Sequence, residues 1–220
     1  MSTTLIIGIK NLSSWSMRPW VLMRHFEIPF EETLIRLDAP ETRATIKHYS
    51  PSGLVPCLVD NGVTVWDSLA IAEYLADKHS DKGLWPADPI ARARARCLAA
   101  EMHAGFSPLR TVWPMDVVTE GAGVTVPLRV KQNLDRLFHL WAEARTDYGE
   151  KGDGPYLFGS FTIVDAFFAP VVSRLRTYGP VPMDESVKAY TDAIWANRAV
   201  AEWVAGAHME KEGEGTEREG

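Results

Sequence analysis

The chain has 220 residues, of which 46% are hydrophobic and 24% are charged, and its formal net charge is −6. This composition is typical of a globular protein with one large domain or two small ones. The negative charge gives no electrostatic support for binding nucleic acid, and the sequence has no apolar run of the roughly 18 residues that a membrane span requires.

The amino-terminal segment and the cysteines indicate the compartment. Residues 1–8 lack a basic region before their short apolar run, so they predict a first strand rather than a signal peptide. Cys57 and Cys97 form neither a CxxC pair nor a metal-ligand cluster. A reducing, cytoplasmic setting with no disulfide and no metal is therefore expected.

The first part of the chain predicts alternating strands and helices. Short apolar runs predict strands at residues 4–9 and 30–37, and a polar loop separates the first strand from a helix that ends near residue 26. Ser14 or Ser16 is expected to cap that helix, with Pro19 near its first turn. Residues 40–49 predict a short, weakly amphipathic helix.

A hairpin and a helix follow. Residues 57–59 and 63–66 predict two strands, and Asn61-Gly62 between them favours a type I′ turn, which needs positive φ at both positions. Asp67 is a suitable N-cap for the helix that begins there. The order of strand, helix, strand, helix, hairpin and helix is that of a thioredoxin-like α/β half domain.

The rest of the chain predicts helices only. Residues 81–89 contain two prolines and a glycine and are interpreted as a linker between an α/β domain (1–80) and an all-α domain (90–209). The predicted helices cover residues 90–118, with a disturbance at Pro108 and Pro114, and then 126–148, 162–174, 184–195 and 199–207. Residues 210–220 carry no apolar side chain and predict a disordered acidic tail.

The stretch from Val55-Pro56 through the hairpin to Asp67-Ser68 resembles the glutathione-binding half of cytosolic glutathione S-transferases. The resemblance implies a cis proline, a main-chain contact of Val55 with the cysteinyl unit of glutathione, and an acid-serine pair that holds the γ-glutamyl end. A helix N-terminus offers free N–H groups to a carboxylate. The alternative is a structural hairpin followed by an ordinary capped helix.

The loop Ser13-Ser14-Trp15-Ser16-Met17-Arg18 resembles the Ser-Ser-Cys-Ser-x-Arg signature of the zeta class. The resemblance places Ser13 at the catalytic position, with Ser14 as the adjacent candidate, and Ser16 among the glutathione-binding residues. Trp15 stands where the zeta class has cysteine, which argues against disulfide chemistry and against zeta-type isomerisation. The alternative is that these serines only shape the loop and cap the helix.

The resemblance also implies contacts elsewhere. Leu54 stands where many relatives carry Lys or Gln, and His48 lies near the position of basic contacts to the glycyl carboxylate. Helical spacing places at least some of His103, Phe106, Arg110 and Trp113 on one face. These four predict an electrophile pocket with an apolar wall and a cationic residue for an acidic co-substrate, or alternatively a packed domain interface.

The segment from Thr162 to Asp165 predicts a capping box, in which each side chain hydrogen-bonds to the main chain of the other residue. It resembles the buried box in the helical domain of glutathione transferases. A structural role is expected for Asp165, and no part in the chemistry.

The sequence thus predicts a member of the serine-type bacterial glutathione transferases, nearest the zeta and theta classes. The expected function is conjugation of glutathione, the co-substrate, to a small electrophile in a cytoplasmic, detoxifying homodimer. A zeta-type maleylacetoacetate isomerase, which would need cationic lining from Arg110 or Arg18, and a non-catalytic binding module remain as alternatives. No metal, nucleic acid or membrane is implied.

Overall fold

The computed structural model describes residues 3–37 and 40–218, with side chains described as far as residue 213. Its first part contains four strands and three helices in the predicted order. Their bounds are β1 (Thr3–Gly8), α1 (Ser14–His25), β2 (Glu31–Ile35), α2 (Thr42–Tyr49), β3 (Cys57–Asp60), β4 (Val63–Trp66) and α3 (Ser68–Lys78).

The four strands form one mixed sheet in the order β2-β1-β3-β4. β1 and β2 are parallel and joined by α1, whereas β1–β3 and β3–β4 are antiparallel. A parallel pair needs a crossover connection, and α1 provides it. This arrangement confirms the predicted thioredoxin-like fold.

The hairpin between β3 and β4 forms as its turn residues predict. Asn61 and Gly62 have φ of 50° and 86°, the positive values that a type I′ turn needs. Asp60, immediately before the turn, is buried and accepts hydrogen bonds from the hydroxyls of Thr3 and Tyr74, and it pairs with Lys78. The hairpin is thereby fixed to both β1 and α3.

The second part of the chain is helical. After a 3₁₀ turn at Ser80–Lys82 it contains α4 (Pro89–Ala104), α5 (Ser107–Val112), α6 (Leu128–Ala144), a π-helical turn (Arg145–Gly149), α7 (Ile163–Tyr178), α8 (Glu185–Trp195) and α9 (Arg198–Arg218). Most side chains of α7 are buried, and α7 packs against α1 and α4. The all-α second half is confirmed, while the exact domain boundaries stay a prediction.

The first predicted helix of this half is interrupted earlier than its prolines suggest. α4 ends at Ala104, and Phe106 has a φ of 56°, a value that ends a right-handed helix. Pro108 lies in the first turn of α5, where its missing N–H costs nothing. Residues 103 and 106–113 therefore do not belong to one continuous helix.

The predicted capping box is present at the start of α7. The carboxylate of Asp165 accepts hydrogen bonds from the N–H of Thr162 at 2.8 Å and from its hydroxyl at 3.0 Å. It also accepts from the N–H of Leu157 and from the hydroxyl of Tyr190. Asp165 is fully buried and is occupied by these four donors, which suits a structural role.

The predicted disordered tail differs from the structure, in which α9 continues to Arg218. Glu210 accepts a hydrogen bond from the N–H of Lys10 at 2.8 Å and pairs with its ammonium at 3.2 Å. Lys10 is buried beside the rings of Trp20 and Trp203, so this acid compensates a buried charge. The last two residues of the predicted tail, 219–220, lie outside the described residues.

Candidate functional site

A cavity of about 290 Å³ lies where α3 begins beside the turn before β3. Among the residues that the structure describes, it is lined by Trp15, Ser52, Leu54, Val55, Pro56, Trp66, Asp67 and Ser68. The Val55-Pro56 and Asp67-Ser68 pairs, which the sequence motif separates by ten residues, thus meet in one cavity. This cavity is called the cleft from here on.

The Val55–Pro56 peptide bond is cis, as the resemblance implies. Neither the N–H nor the C=O of Val55 has a hydrogen-bond partner within the described part of the chain. Leu54, two-thirds exposed, has its own N–H bonded to the hydroxyl of Ser52 at 3.2 Å. The main chain of Val55 is therefore free to pair with an extended ligand.

Asp67 and Ser68 form the opposite wall at the start of α3. One oxygen of Asp67 caps the helix by accepting from the N–H of Leu69 at 2.8 Å, and the other lies 3.4 Å from Nε2 of His103. Ser68 is buried, and its hydroxyl oxygen accepts a 3.4 Å hydrogen bond from Arg18, which leaves the hydroxyl proton free to donate.

His103 reaches this wall from the helical half of the chain. Burial lowers its pKa most strongly, Arg18 and Arg110 lower it further, and Asp67 acts in the opposite direction. The imidazole is therefore neutral at neutral pH, and its Nε2–H can donate to Asp67. The sequence places His103 in the electrophile pocket, whereas the structure pairs it with the predicted glutathione-binding acid.

The serine loop lies at the N-terminus of α1, close behind the cleft wall. Ser13 is the N-cap residue, but its hydroxyl donates to the hydroxyl oxygen of Ser16 at 2.7 Å rather than capping an N–H of α1. Ser16 also accepts from the N–H of Gly8 at 3.1 Å and is fully buried. The prediction that Ser14 or Ser16 is the N-cap was wrong, because α1 begins at Ser14 itself.

Ser14 is half-buried, and its hydroxyl has no hydrogen-bond partner among the described residues. Of the loop, Trp15 is the residue that lines the cleft. Its indole ring contacts two charged side chains: the ring centroid is 4.3 Å from the guanidinium carbon of Arg18 and 5.1 Å from that of Arg110.

The four residues of the predicted electrophile pocket are only partly brought together. Arg110 donates to the carbonyl oxygen of His103 at 3.2 Å, and both lie against Trp15. Trp113 is instead 2% exposed and stacks on Tyr178 at 5.1 Å, so it belongs to the core. Phe106 is also buried. The four residues do not lie along one helix, because the chain breaks between α4 and α5, and an electrophile pocket at this place stays a prediction.

His48 is not brought to the cleft wall. It lies exposed in the last turn of α2, with the edge of its ring against Tyr49 at 5.0 Å. A contact of His48 with a ligand stays a prediction that this arrangement does not support.

Two arginines are buried in this part of the molecule, and one of them, Arg18, contacts the cleft residue Ser68. Burial, and then Arg110 and Arg174, lower the pKa of Arg18 to about 9. Burial lowers that of Arg174 to about 10, with a further contribution from Arg110. Arg18 was a candidate because it ends the serine motif. Sequence reasoning did not single out Arg174, whose guanidinium donates to the carbonyl oxygens of Trp113 and Pro170.

The described part of the chain contains no group of three or more His, Cys, Asp or Glu side chains that could hold a metal ion. Within the same residues, no helix is long and apolar enough to cross a membrane.

Comparison with known proteins gives one match to the first part of the chain and a structural relative over most of its length. Residues 12–78 match the family model described as glutathione S-transferase, N-terminal domain. A glutathione transferase homolog from Burkholderia, solved with bound glutathione, has 25% identity and a TM-score of 0.70 and covers 94% of this chain and 99% of its own.

Two curated relatives match over shorter stretches. A probable maleylacetoacetate isomerase from Caenorhabditis elegans is 33% identical over 103 residues, which are 47% of this chain and 47% of that protein. A stringent starvation protein A homolog from Coxiella burnetii is 27% identical over 143 residues, 65% of this chain and 63% of that protein. The matches thus span less than two thirds of either relative. The chain has a glutathione S-transferase N-terminal domain and the fold of the glutathione transferases.

Proposed function

We propose that this protein is a glutathione transferase that binds glutathione in the cleft, stabilises its thiolate with a serine of the loop before α1, and transfers it to a small electrophile. One observation carries the proposal: the unpartnered main chain of Val55 faces the N-terminus of α3 across a single cavity. The family match over residues 12–78 and the glutathione-bound structural relative support it.

Glutathione has a complementary group for each wall of the cleft. The cysteinyl peptide unit pairs with the N–H and C=O of Val55. The γ-glutamyl ammonium binds the Asp67 carboxylate, while its carboxylate accepts from the Ser68 hydroxyl and from the free N–H groups that open α3. Leu54 supplies no polar side chain to this ligand.

The thiolate is stabilised at the start of α1. The first hydrogen bond inside this helix runs from the N–H of Met17 to the C=O of Ser13, so the N–H groups of Trp15 and Ser16 are free to face a negative charge. A hydroxyl that donates to the thiolate adds a charge-assisted hydrogen bond of about 1.5–3 kcal/mol. Since one pKa unit corresponds to about 1.4 kcal/mol, this is enough to lower a thiol pKa of about 8.5 by one unit or more.

Ser13 and Ser14 offer that hydroxyl in different ways. Ser13 matches the zeta-type catalytic position, but its proton must turn away from Ser16, which would still accept from Gly8. Ser14 has no such bond to break. We propose Ser13 as the activating residue, with Ser14 as the alternative.

A pH titration of the thiolate absorbance of bound glutathione tests the proposal. In the wild type, the thiol should titrate well below its value in free glutathione. Ser13→Ala should raise that pKa by about one unit while glutathione affinity changes little, and Ser14→Ala is the matched control. A larger effect of Ser14→Ala would reassign the role. A wild-type thiol with an unshifted pKa would mean that glutathione is only a ligand.

Two other functions have an observation in their favour. The similarity to a probable maleylacetoacetate isomerase favours a glutathione-dependent isomerase, in which the same thiolate adds to a cis-dienoic acid and later leaves. Failure of such acids to bind would remove this candidate. The engaged proton of Ser13 and the similarity to a stringent starvation protein A homolog favour a non-catalytic module, which the absence of glutathione binding would support.

We further propose that the protein is a cytoplasmic homodimer that acts in detoxification. The exposed apolar side chains Trp66 and Ile90, 44% and 73% exposed, are available for contact with a second copy. Light scattering at several protein concentrations measures the assembly state. A monomer at all concentrations would contradict the dimer.

A further inference from the structure

The connection from β1 to α1 is a tight turn from Ile9 to Ser13, here named the serine turn. The N–H groups of Leu12 and Ser13 both donate to the C=O of Ile9, at 3.3 and 2.9 Å. The turn therefore ends on the residue that is proposed to stabilise the thiolate. Whatever fixes the serine turn on the molecule also fixes the position of the Ser13 hydroxyl.

Asn11 lies in the middle of the serine turn and bonds to the segment that connects α5 to α6. Its C=O accepts a hydrogen bond from the N–H of Val117 at 3.3 Å, and its side-chain oxygen accepts one from the N–H of Val118 at 3.1 Å. Asn11 is half-buried, and Val117 is 2% exposed. Asn11 and Val118 are 107 positions apart, so this contact joins the two halves of the chain.

The peptide group between Asp116 and Val117 continues the contact to α7. Its N–H donates to Asn11, and its C=O accepts from the hydroxyl of Thr177 at 2.6 Å. Thr177 is 2% exposed and belongs to the largely buried helix α7. Hydrogen bonds that share one peptide group polarise and strengthen each other. The serine turn is thereby connected to the core of the helical half.

Two more side chains of α7 hold the same segment. Arg174 donates to the C=O of Trp113 at 2.7 Å, and the hydroxyl of Tyr178 donates to the C=O of Pro114 at 2.9 Å. Arg174 is 3% exposed. Together with Thr177, these residues fix the main chain of the segment, so Asn11 bonds to a well-supported surface.

Lys10 is a second anchor of the serine turn, of a different kind. Its N–H donates to the carboxylate of Glu210 at 2.8 Å, and its C=O accepts from the indole N–H of Trp203 at 3.0 Å. Its ammonium also pairs with Glu32 and Glu210, so replacing Lys10 would change the charge balance of the protein interior. Asn11 is neutral, and its replacement by a neutral residue changes the geometry of the turn alone.

Resting on the thiolate stabilisation proposed above, we infer that Asn11 is a positioning residue for Ser13. Its two hydrogen bonds hold the serine turn where the Ser13 hydroxyl donates to the thiolate in good geometry, and such bonds weaken steeply outside a narrow range of distance and angle. Without the side-chain bond, the main-chain bond of Asn11 and the Lys10 anchor remain, so the turn shifts and stays folded. Glutathione binding at Val55 and Asp67 is retained.

Asn11→Leu tests the inference, because leucine has nearly the size of asparagine but no hydrogen-bond acceptor. A pH titration of the thiolate absorbance should show that the pKa of bound glutathione rises by about half a unit, half of the shift expected for Ser13→Ala. The Kd of glutathione, measured by calorimetry at a pH where the bound thiol is protonated, should stay the same.

A double-mutant cycle separates positioning from a general structural role. In Ser13→Ala there is no hydroxyl to position, so adding Asn11→Leu should change the pKa of the thiol by about 0.2 unit or less. Asn133→Leu is the matched control: the side-chain oxygen of Asn133, also half-buried, accepts from the N–H of Leu109 at 3.1 Å. It should lower stability to urea about as much as Asn11→Leu does and leave the pKa of the thiol unchanged.

The outcomes separate the inference from the function on which it rests. A shifted wild-type thiol whose pKa does not change in Asn11→Leu would overturn the positioning role and leave the transferase intact. An equal shift with and without the Ser13 hydroxyl would overturn it too. An unshifted wild-type thiol would overturn the thiolate stabilisation itself, and the inference with it.

A second variant acts from the opposite side of the contact. If Asn11→Leu does not fold, Thr177→Val takes its place, because it removes the hydroxyl that holds the C=O of Asp116 and keeps the shape of the side chain. The pKa of the bound thiol should again rise in the wild-type background and stay the same in Ser13→Ala. No rise in either background would overturn the inference.

Discussion

Replacement of Asp165 by alanine should destabilise the protein without changing the chemical step. The Asp165 carboxylate accepts four hydrogen bonds, from the N–H and hydroxyl of Thr162, the N–H of Leu157 and the hydroxyl of Tyr190, at 2.8 to 3.3 Å. Asp165 is fully buried and Tyr190 is 1% exposed. The variant therefore leaves several buried donors without an acceptor.

The expected loss of stability follows from the number of buried donors left without an acceptor. A buried donor that loses its partner costs about 1–3 kcal/mol, and the loss of an N-terminal cap contributes about 1 kcal/mol within that sum. The hydroxyl of Thr162 can turn toward another acceptor, and water can enter the space that the carboxylate leaves. We therefore expect a loss of about 3–5 kcal/mol in the free energy of unfolding.

Urea unfolding followed by circular dichroism measures this loss. Asp184→Ala is the matched control, because Asp184 is also the N-cap of a helix, α8, but is exposed and makes no side-chain capping bond. Its effect should stay below about 0.5 kcal/mol. A parallel assay measures glutathione conjugation per folded molecule.

Two results would refute the reasoning. A loss below about 1 kcal/mol for Asp165→Ala would show that the four hydrogen bonds do not hold the start of α7. Normal unfolding with abolished turnover would show that Asp165 takes part in the chemistry.

Three further predictions concern other parts of the chain. His103→Ala should raise the KM for glutathione by about two- to fivefold with little change in kcat, because Asp67 loses a partner worth at most about 1 kcal/mol; a fall in kcat alone would contradict this. Burial raises the pKa of Asp60, but hydrogen bonds from Lys78 and two hydroxyls outweigh this and lower it from 3.8 to about 2. Since the folded-state pKa is the lower one, Asp60 stabilises the protein above its unfolded-state pKa, and this contribution disappears as the pH falls from about 4 to about 2. Asp60→Asn should thus cost about 1–2 kcal/mol at neutral pH after solvent screening, with the difference shrinking in acid urea titrations, and a pH-independent difference would refute it. Trp113→Ala should lower stability by about 3–5 kcal/mol while the KM for the electrophile, measured on folded protein, stays the same, because Trp113 lies in the core; a changed KM for the electrophile in the folded variant would place it in the pocket.

Features encoded within a few neighbouring residues could be predicted from the sequence. Asn61-Gly62 determines its turn because φ values of 50° and 86° suit these two residue types. Asp67 caps α3 through the N–H two residues ahead, and Thr162 and Asp165 bond to each other three residues apart. Helical and strand periodicity likewise predicted the order of elements in the α/β half.

Features that depend on how distant segments meet could not be predicted in this way. The left-handed conformation of Phe106 rotates the chain after α4, so that Arg110 reaches Trp15 whereas Trp113 enters the core. No local sequence pattern predicts this rotation, because a positive φ is uncommon for phenylalanine. The spacing of the four candidates therefore did not predict that they divide between the two sides of this break.

The sequence by itself determined the fold class, the hairpin and both capping motifs, because each rests on short-range hydrogen bonding and apolar periodicity. Only the tertiary structure decided which charged groups share the site. Asp67 and His103 lie on different halves of the chain, and Arg18 and Arg110, which both lie against the Trp15 ring, come from two different helices. Their electrostatic interactions depend on their distance in space and on their burial from water. The spacing of residues along the chain determines neither of these quantities.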